Sequence, residues 1–291
     1  MYKQIEANKR NTLLLLFGFV ALIAVIGGLF GYALDDWNLT ALIVVVAVIY
    51  AAIQYFLARS LAVMMTGARE ISKKDDRRLY NIVENLAITA GLPMPKVYII
   101  DDPAPNAMAT GRDPQHAMVA ATTGLLAVMD DKELTAVMAH ELSHVKNYDI
   151  RVSLVAFSLV CVIGLMADVG SRAMWRSRSS DKNGNSIAGV IFLVVAILAP
   201  VAASLTQLAV SREREYLADA SAAHLTRYPE GMIAALQKLE THAQPMKRQN
   251  PATASFYISN PMKKKAFGSL WSTHPPIAKR IERLERGKWD F

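Results

Sequence analysis

The chain has 291 residues, 53% of them hydrophobic, with a mean hydropathy of +0.22 that is concentrated in long charge-free runs. The net charge is +7 and the pI about 9.4, but the basic residues flank the apolar runs and are not interleaved with aromatics. That pattern argues against nucleic acid and leaves an anionic bilayer surface as the counterpart of the charge. The one cysteine, Cys161, lies inside an apolar run, which excludes an internal disulfide or a thiolate zinc site. It reads as a small buried hydrophobe.

The first apolar run covers residues 13–34 and is preceded by Lys3, Lys9 and Arg10. It is long for the apolar region of a signal peptide, and a second run, 39–57, follows at once, so it reads as a retained anchor. Asp35, Asp36, Trp37 and Asn38 link the two, and Arg59, Arg69, Lys73, Lys74, Arg77 and Arg78 follow the second. Basic flanks outside and an acidic link between predict a transmembrane hairpin with both ends in the cytoplasm.

Residues 75–92 predict an amphipathic helix: Leu79, Ile82, Val83, Leu86 and Ala90 share a face, and Gly91 then Pro93 stop it. Residues 96–100 and 117–122 predict strands, joined by the turn-rich stretch DDPAPNAMATG. Asp130 or Asp131 then caps a helix with Glu133 in its first turn. Two more apolar runs follow, 152–167 and 187–208, separated by a polar linker at 170–186. The helical pattern continues through SREREYLADASAAHL, and another helix starts near Pro229. A loop-rich stretch covers 243–272, and residues 276–286 form a charged amphipathic helix. No internal repeat is present. The expected organisation is a membrane hairpin at 1–58, catalytic-domain halves at 59–150 and 211–291, and a second membrane hairpin at 151–210.

The chemistry sits in AVMAHELSHVKNYDI, residues 136–150. On a helix His140 and His144, four apart, lie on one face. Two imidazoles at that spacing can bind one zinc ion, with Glu141 beside them as candidate base. Zinc activates water and polarises a carbonyl, while a carboxylate relays the proton to the leaving amine. The bland alternative is two exposed histidines on an ordinary amphipathic helix, so a third ligand is needed. Metzincins place it six residues beyond the second histidine, after a glycine. Ile150 and Asn147 occupy those positions and exclude that class. His116 and His242 read as surface residues and His224 as a helix-face residue. The best candidate is Glu215, with Asp219 one turn on to accept the N–H of a ligating histidine. Glu213 is a rival that lacks such a partner.

Two apolar runs separate the histidines from Glu215, so an even number of crossings returns them to one side of the membrane. Arg172, Arg176, Arg178 and Lys182 in the intervening linker run against the positive-inside tendency, and a shallow or re-entrant second hairpin is the alternative.

HELSHVKNYD, SREREYLADA and STHPP, together with the apolar runs, closely resemble the HtpX heat-shock family of bacterial membrane zinc metallopeptidases. These are relatives of CAAX prenyl endopeptidases and Oma-type proteases, and the likeness runs nearly end to end. It implies a mostly α, α+β chain: four apolar helices plus a gluzincin-type zinc metallopeptidase domain with a small β-sheet. Carried over, His140, His144 and Glu215 are ligands to one Zn2+, Glu141 is the base and Asp219 orients a ligand. PNAMATG resembles the family's sheet-edge segment, so Asn106 and Ala107 are expected to hold substrate backbone by strand addition. A plain turn leading into a strand is the alternative. His274, in HPP, is expected to stabilise the oxyanion, or simply to precede a proline-started helix. Arg212 is expected to salt-bridge the site.

The resemblance implies an endopeptidase of the bacterial cell inner membrane, multi-pass, with its catalytic domain facing the cytoplasm. Its partners would be the lipid bilayer and unfolded or damaged membrane-protein substrates, in stress response and quality control, alongside other membrane quality-control proteases. His144 and Val152 are eight residues apart, roughly 12 Å if helical, so the cleft is expected near the membrane surface. One rival is a prenyl-protein endopeptidase. Another, of a different class, is an inactive membrane scaffold or chaperone.

Overall fold

Two long apolar helices open the chain, α1 (Tyr2–Leu34) and α2 (Trp37–Thr66). The computed structural model describes residues 2–34, 37–177, 201, 204, 211–250, 252–262 and 275–287. Apart from residues 201 and 204, the expected fourth run at 187–208 lies outside these, as does His274. A third long helix, here α6 (Asp149–Ser177), joins the first two. Phe19, Ile23 and Ile26 of α1, Ala51 of α2 and Val155, Leu159 and Ile163 of α6 form their shared core.

The outer faces stay apolar and uncovered. Leu13, Phe17 and Val25 of α1 and Leu42, Val46 and Phe56 of α2 are exposed. Aliphatic and aromatic surface of this extent requires a cover other than water. Among the described residues, one segment, Ile5–Gly28, is long and apolar enough to cross a membrane, and Thr40–Ile53 with Tyr55–Thr66 qualifies only as a pair bent by 59°. α6 runs on to Ser177, into the polar stretch expected from residue 170. Likewise α2 continues past the expected hairpin boundary at 58.

Four short strands make a mixed sheet: β1 (Ala68–Glu70), β2 (Lys96–Ile100), β3 (Ala107–Thr110) and β4 (Met118–Thr122), in the order β1-β2-β4-β3. β2 and β4 are parallel, while β1 and β3 pair antiparallel at the two edges. β3 and β4 are buried along their whole length and read as nearly continuous apolar runs instead of alternating with polar residues, whereas β1 keeps Arg69 and Glu70 exposed at its edge. Val97, Val119 and Ala121 point to one core, against α3 (Arg77–Ala90), α5 (Asp131–Lys146) and α8 (Pro229–Thr241). Tyr98, Ile100, Met108, Met118 and Ala120 point to the other, against Ala58 and Ala62 of α2 and Leu154 and Phe157 of α6. The sheet is therefore wedged between the layer of α3, α5 and α8 and the apolar bundle.

Local signals set the element ends. The Asp76 side chain accepts from Leu79 N–H to start α3, and Gly91 ends it at φ 67°. α4 (Thr123–Val128) follows β4 directly, with Thr122 as its cap. Gly124 is there because a Cβ would stand 2.0 Å from Pro103 O, closing off the approach of residues 102–104. α7 (Arg212–Thr226) and α9 (Ile277–Glu285) complete the described helices.

Candidate active site

α5 is fixed at its N-terminus by a full capping box: Asp130 accepts from Glu133 N–H, and the Glu133 carboxylate accepts from Asp130 N–H. The helix runs through the core, with Leu134, Val137, Met138, Leu142 and Val145 buried. His140 and His144 follow one another along its remaining face and meet α7, which packs alongside and brings Glu215 and Asp219.

The ligand atoms of His140, His144 and Glu215 lie within 4.8 Å of one another. The two Nε2 atoms are 3.2 Å apart, and Glu215 Oε1 and Oε2 lie 3.5 Å from His144 Nε2 and 3.8 Å from His140 Nε2. A tetrahedron with zinc-to-ligand distances of ~2.0–2.1 Å has edges of about 3.3–3.4 Å, so the donor set fits zinc. The other nitrogens fix the tautomers. His140 Nδ1 lies 2.9 Å from Asp219 Oδ1, and His144 Nδ1 lies 2.9 Å from Asp149 Oδ2. With each Nδ1–H donated outward, both Nε2 lone pairs converge on one point, which is what a cation requires.

Arg280 of α9, buried to 1%, completes the arrangement. Its Nε and Nη2 donate to Asp219 Oδ2 and Oδ1 at 2.8 and 2.6 Å, and its Nη1 lies 3.7 Å from Glu215 Oε2. Burial pulls its pKa down, but Asp219, Glu215 and Glu141 outweigh that and hold it charged. Asp219, although buried, is kept ionised below its ordinary range by Arg280 and His140. Burial pushes Glu141 up to about 8, with Glu215 adding to the effect. For His144 burial acts downward, yet Asp149, Glu215 and Glu141 raise it to about 9, whereas burial leaves His140 below its ordinary value.

Glu141 Oε1 is buried without a hydrogen-bond partner among the described residues. The cleft before it is lined by Ala109, Ile150, Ser153, Ser211, Arg214 and Tyr257. A strap from the 243–272 loop closes one side. Tyr257 bridges Met108 of β3, the sheet's edge strand, in antiparallel fashion, and Ile258 N–H donates to Ala107 O at 3.0 Å.

The expected site residues divide accordingly. His140, His144, Glu141, Glu215 and Asp219 come together. Asn106 and Ala107 lie at the sheet edge as expected, but their polar groups are taken by the chain itself. Asn106 Nδ2 donates to Ser259 O at 2.8 Å, and its Oδ1 accepts from Ser259 N–H at 3.2 Å. Arg212 is exposed on the first turn of α7 and outside the cleft lining. The buried arginine two residues on, Arg214, lines the cleft, and Arg280 forms salt bridges with Glu215 and Asp219. Glu213, the weaker ligand candidate, is exposed, as are His116, His224 and His242.

Two residues were missed in the sequence. Asp149 carried a signal, one acid directly after the second histidine's helix. Arg280 carried a clearer one: with Ile277, Ile281 and Leu284 it falls within the apolar stripe of its helix, where an arginine demands a buried acid.

Residues 73–288 match the model of peptidase family M48. A "Protease HtpX homolog" of Tropheryma whipplei (strain Twist) is 53% identical over 285 residues, covering 98% of both chains. One of Limosilactobacillus fermentum is 47% identical over 298 residues, covering 98% of this chain and 99% of its own. The crystal structure of S. mikatae Ste24p shares the fold, with a TM-score of 0.51 at 21% identity over 98% of this chain and 67% of that one. With its converging histidines and glutamate, the chain is a metalloprotease, a hydrolase of peptide bonds, and belongs to peptidase family M48 in its HtpX branch.

Proposed function

We propose that the chain is a zinc endopeptidase that cuts locally unfolded segments of membrane proteins beside the cytoplasmic face of a bacterial inner membrane. The observation that carries this reading is the position of the donor set. His144 lies five residues before Asp149, the first residue of α6, so the cleft hangs directly from the apolar bundle. The exposed apolar faces of α1 and α2 support membrane embedding, and the four-span topology, including residues 187–208, belongs to this proposal.

His140, His144 and Glu215 hold the metal. Zinc supplies Lewis acidity to such a cleft, making water a better nucleophile and polarising the scissile carbonyl. Glu141 takes the proton at Oε1 and passes it to the leaving amine. Asp219 and Asp149 keep the imidazoles in the required tautomers, and Arg280 keeps Asp219 ionised. The substrate lies extended along the β3 edge at Ala109, displacing the strap at 257–259, so that Asn106 and Ala107 then bond its backbone. His274 is retained as an oxyanion donor and damaged membrane proteins as the natural substrates.

The test uses wild type and Glu141→Gln purified in detergent without chelator. Bound zinc in both, with casein cleavage only by wild type, is expected. Absence of zinc from both overturns the ligand set. The location is tested in proteoliposomes with one unfolded segment offered free or fused to a membrane helix. Faster cutting of the tethered form is expected, and equal rates would refute the membrane-surface reading.

A further inference from the structure

The zinc-ligand helix is tied to the first membrane helix by one side chain. Asn8 of α1 is buried at 4% exposure. Its Nδ2 uses both hydrogens: one goes to Asn147 O at 2.8 Å, the other to Asp149 Oδ1 at 2.7 Å. Asn147 is the C-cap of α5, and Asp149 gives its second oxygen to His144 Nδ1 at 2.9 Å. The carboxylate is thus held on both sides, by the imidazole it orients and by an amide from α1. A carboxylate with only one partner can rotate, and the imidazole rotates with it.

A second observation points to the same junction. Between Asn147 and Asp149, Tyr148 sits at φ 61°, a left-handed conformation that is unfavourable for a residue other than glycine. The two bonds of Asn8 land on either side of it, and Lys9 Nζ lies 4.9 Å from the centre of the Tyr148 ring. Adjacent residues of α1 therefore close this strained turn from outside.

We infer that Asn8 is a positioning residue for the metal site: through Asp149 it fixes the orientation of His144, so that α1 is part of the metal centre's support as well as of the bundle. The inference rests on the metal-site reading above. Removing a partner that orients a ligating histidine costs about 10–100-fold in metal affinity. Asn8 acts one bond further out, so the low end, about tenfold, is expected.

The experiment uses the full chain in detergent, as wild type, Asn8→Leu, Asn8→Asp and Thr12→Val. Thr12 is the matched control: it is buried on the same stretch of α1 and donates to the Asn8 carbonyl at 2.8 Å. Zinc dissociation constants are measured by chelator competition, the visible spectrum is recorded with Co2+ in place of zinc, and Tm is measured without metal. The expected result is about tenfold weaker zinc in Asn8→Leu and weaker still in Asn8→Asp, which sets a second carboxylate against Asp149. Shifted cobalt bands are expected in both, and wild-type metal behaviour in Thr12→Val. Wild-type affinity and spectrum in the Asn8 variants would overturn the role, as would equal zinc loss in Thr12→Val. Failure of wild type to bind zinc would instead overturn the metal site itself.

Discussion

The Nε2 atoms of His140 and His144 face each other at 3.2 Å while each ring gives its other nitrogen to a buried aspartate. Two neutral imidazoles cannot satisfy that geometry without a cation between them. In chelated protein a proton takes that place. It resides on His144, whose pKa is raised to about 9, and not on His140, which burial holds low.

Zinc binding at pH 7 should therefore release at least the one proton held on His144, and release should fall as the pH rises past its value of about 9. Calorimetry in buffers of different ionisation enthalpy reads this directly. Proton release of zero at pH 7 would contradict the assigned state of His144. Chelation should abolish cleavage reversibly and lower Tm, since zinc at one hundred times its Kd adds about 2.7 kcal/mol.

Arg280→Met should be the most damaging change away from the ligands. It leaves the Asp219 carboxylate buried without its forked partner, at a cost of about 3–5 kcal/mol. Arg280→Lys keeps the charge but not the two-point geometry and should fall between wild type and Arg280→Met. Tm and kcat/KM together check this, and a wild-type Tm for Arg280→Met would sink it.

The strap makes an opposite prediction. Ser259→Pro removes the N–H that donates to Asn106 Oδ1. One hydrogen bond is worth about 1 kcal/mol, so release of the sheet edge should raise kcat/KM on an unfolded substrate by up to about fivefold. A fall in kcat/KM at unchanged Tm would mean that the strap belongs to the substrate site instead of competing for it.

The cap of α5 offers a pH test remote from the metal. The Glu133 backbone N–H holds the Asp130 carboxyl below its ordinary range. A depressed folded-state pKa stabilises above the unfolded value of about 3.9, and the contribution disappears as pH falls through the folded value. Asp130→Ala should therefore cost about 1 kcal/mol at pH 7 and converge with wild type in acid. Thermal unfolding across that range measures it, and a constant gap would contradict the capping account.

Periodicity made much of the site legible. His140 with His144, and Glu215 with Asp219, each stand four apart within one helix, and 3.6 residues per turn brings each pair to one face. Asp149 escaped because the left-handed Tyr148 breaks the helical register between it and His144. Arg280 escaped because a helix rich in Lys, Arg and Glu reads as a solvated surface, although its apolar stripe passes through that residue. β1 and β3, three and four residues long, are too short for an alternation pattern, and β3 lies inside a stretch dominated by turn formers. The strap's pairing is a tertiary contact between residues about 150 apart, such as Asn106 with Ser259, which no local pattern records.

The wedged sheet has a consequence for how this enzyme can be taken apart. Met108, Met118 and Ala120 are capped by Ala58, Ala62, Leu154 and Phe157, and Phe157 also meets Phe256 of the strap at 5.2 Å between ring centres. Deleting the apolar helices strips one whole side of the sheet and one wall of the strap. The apolar helices are thus not a detachable tether, because they form one wall of the protease's interior.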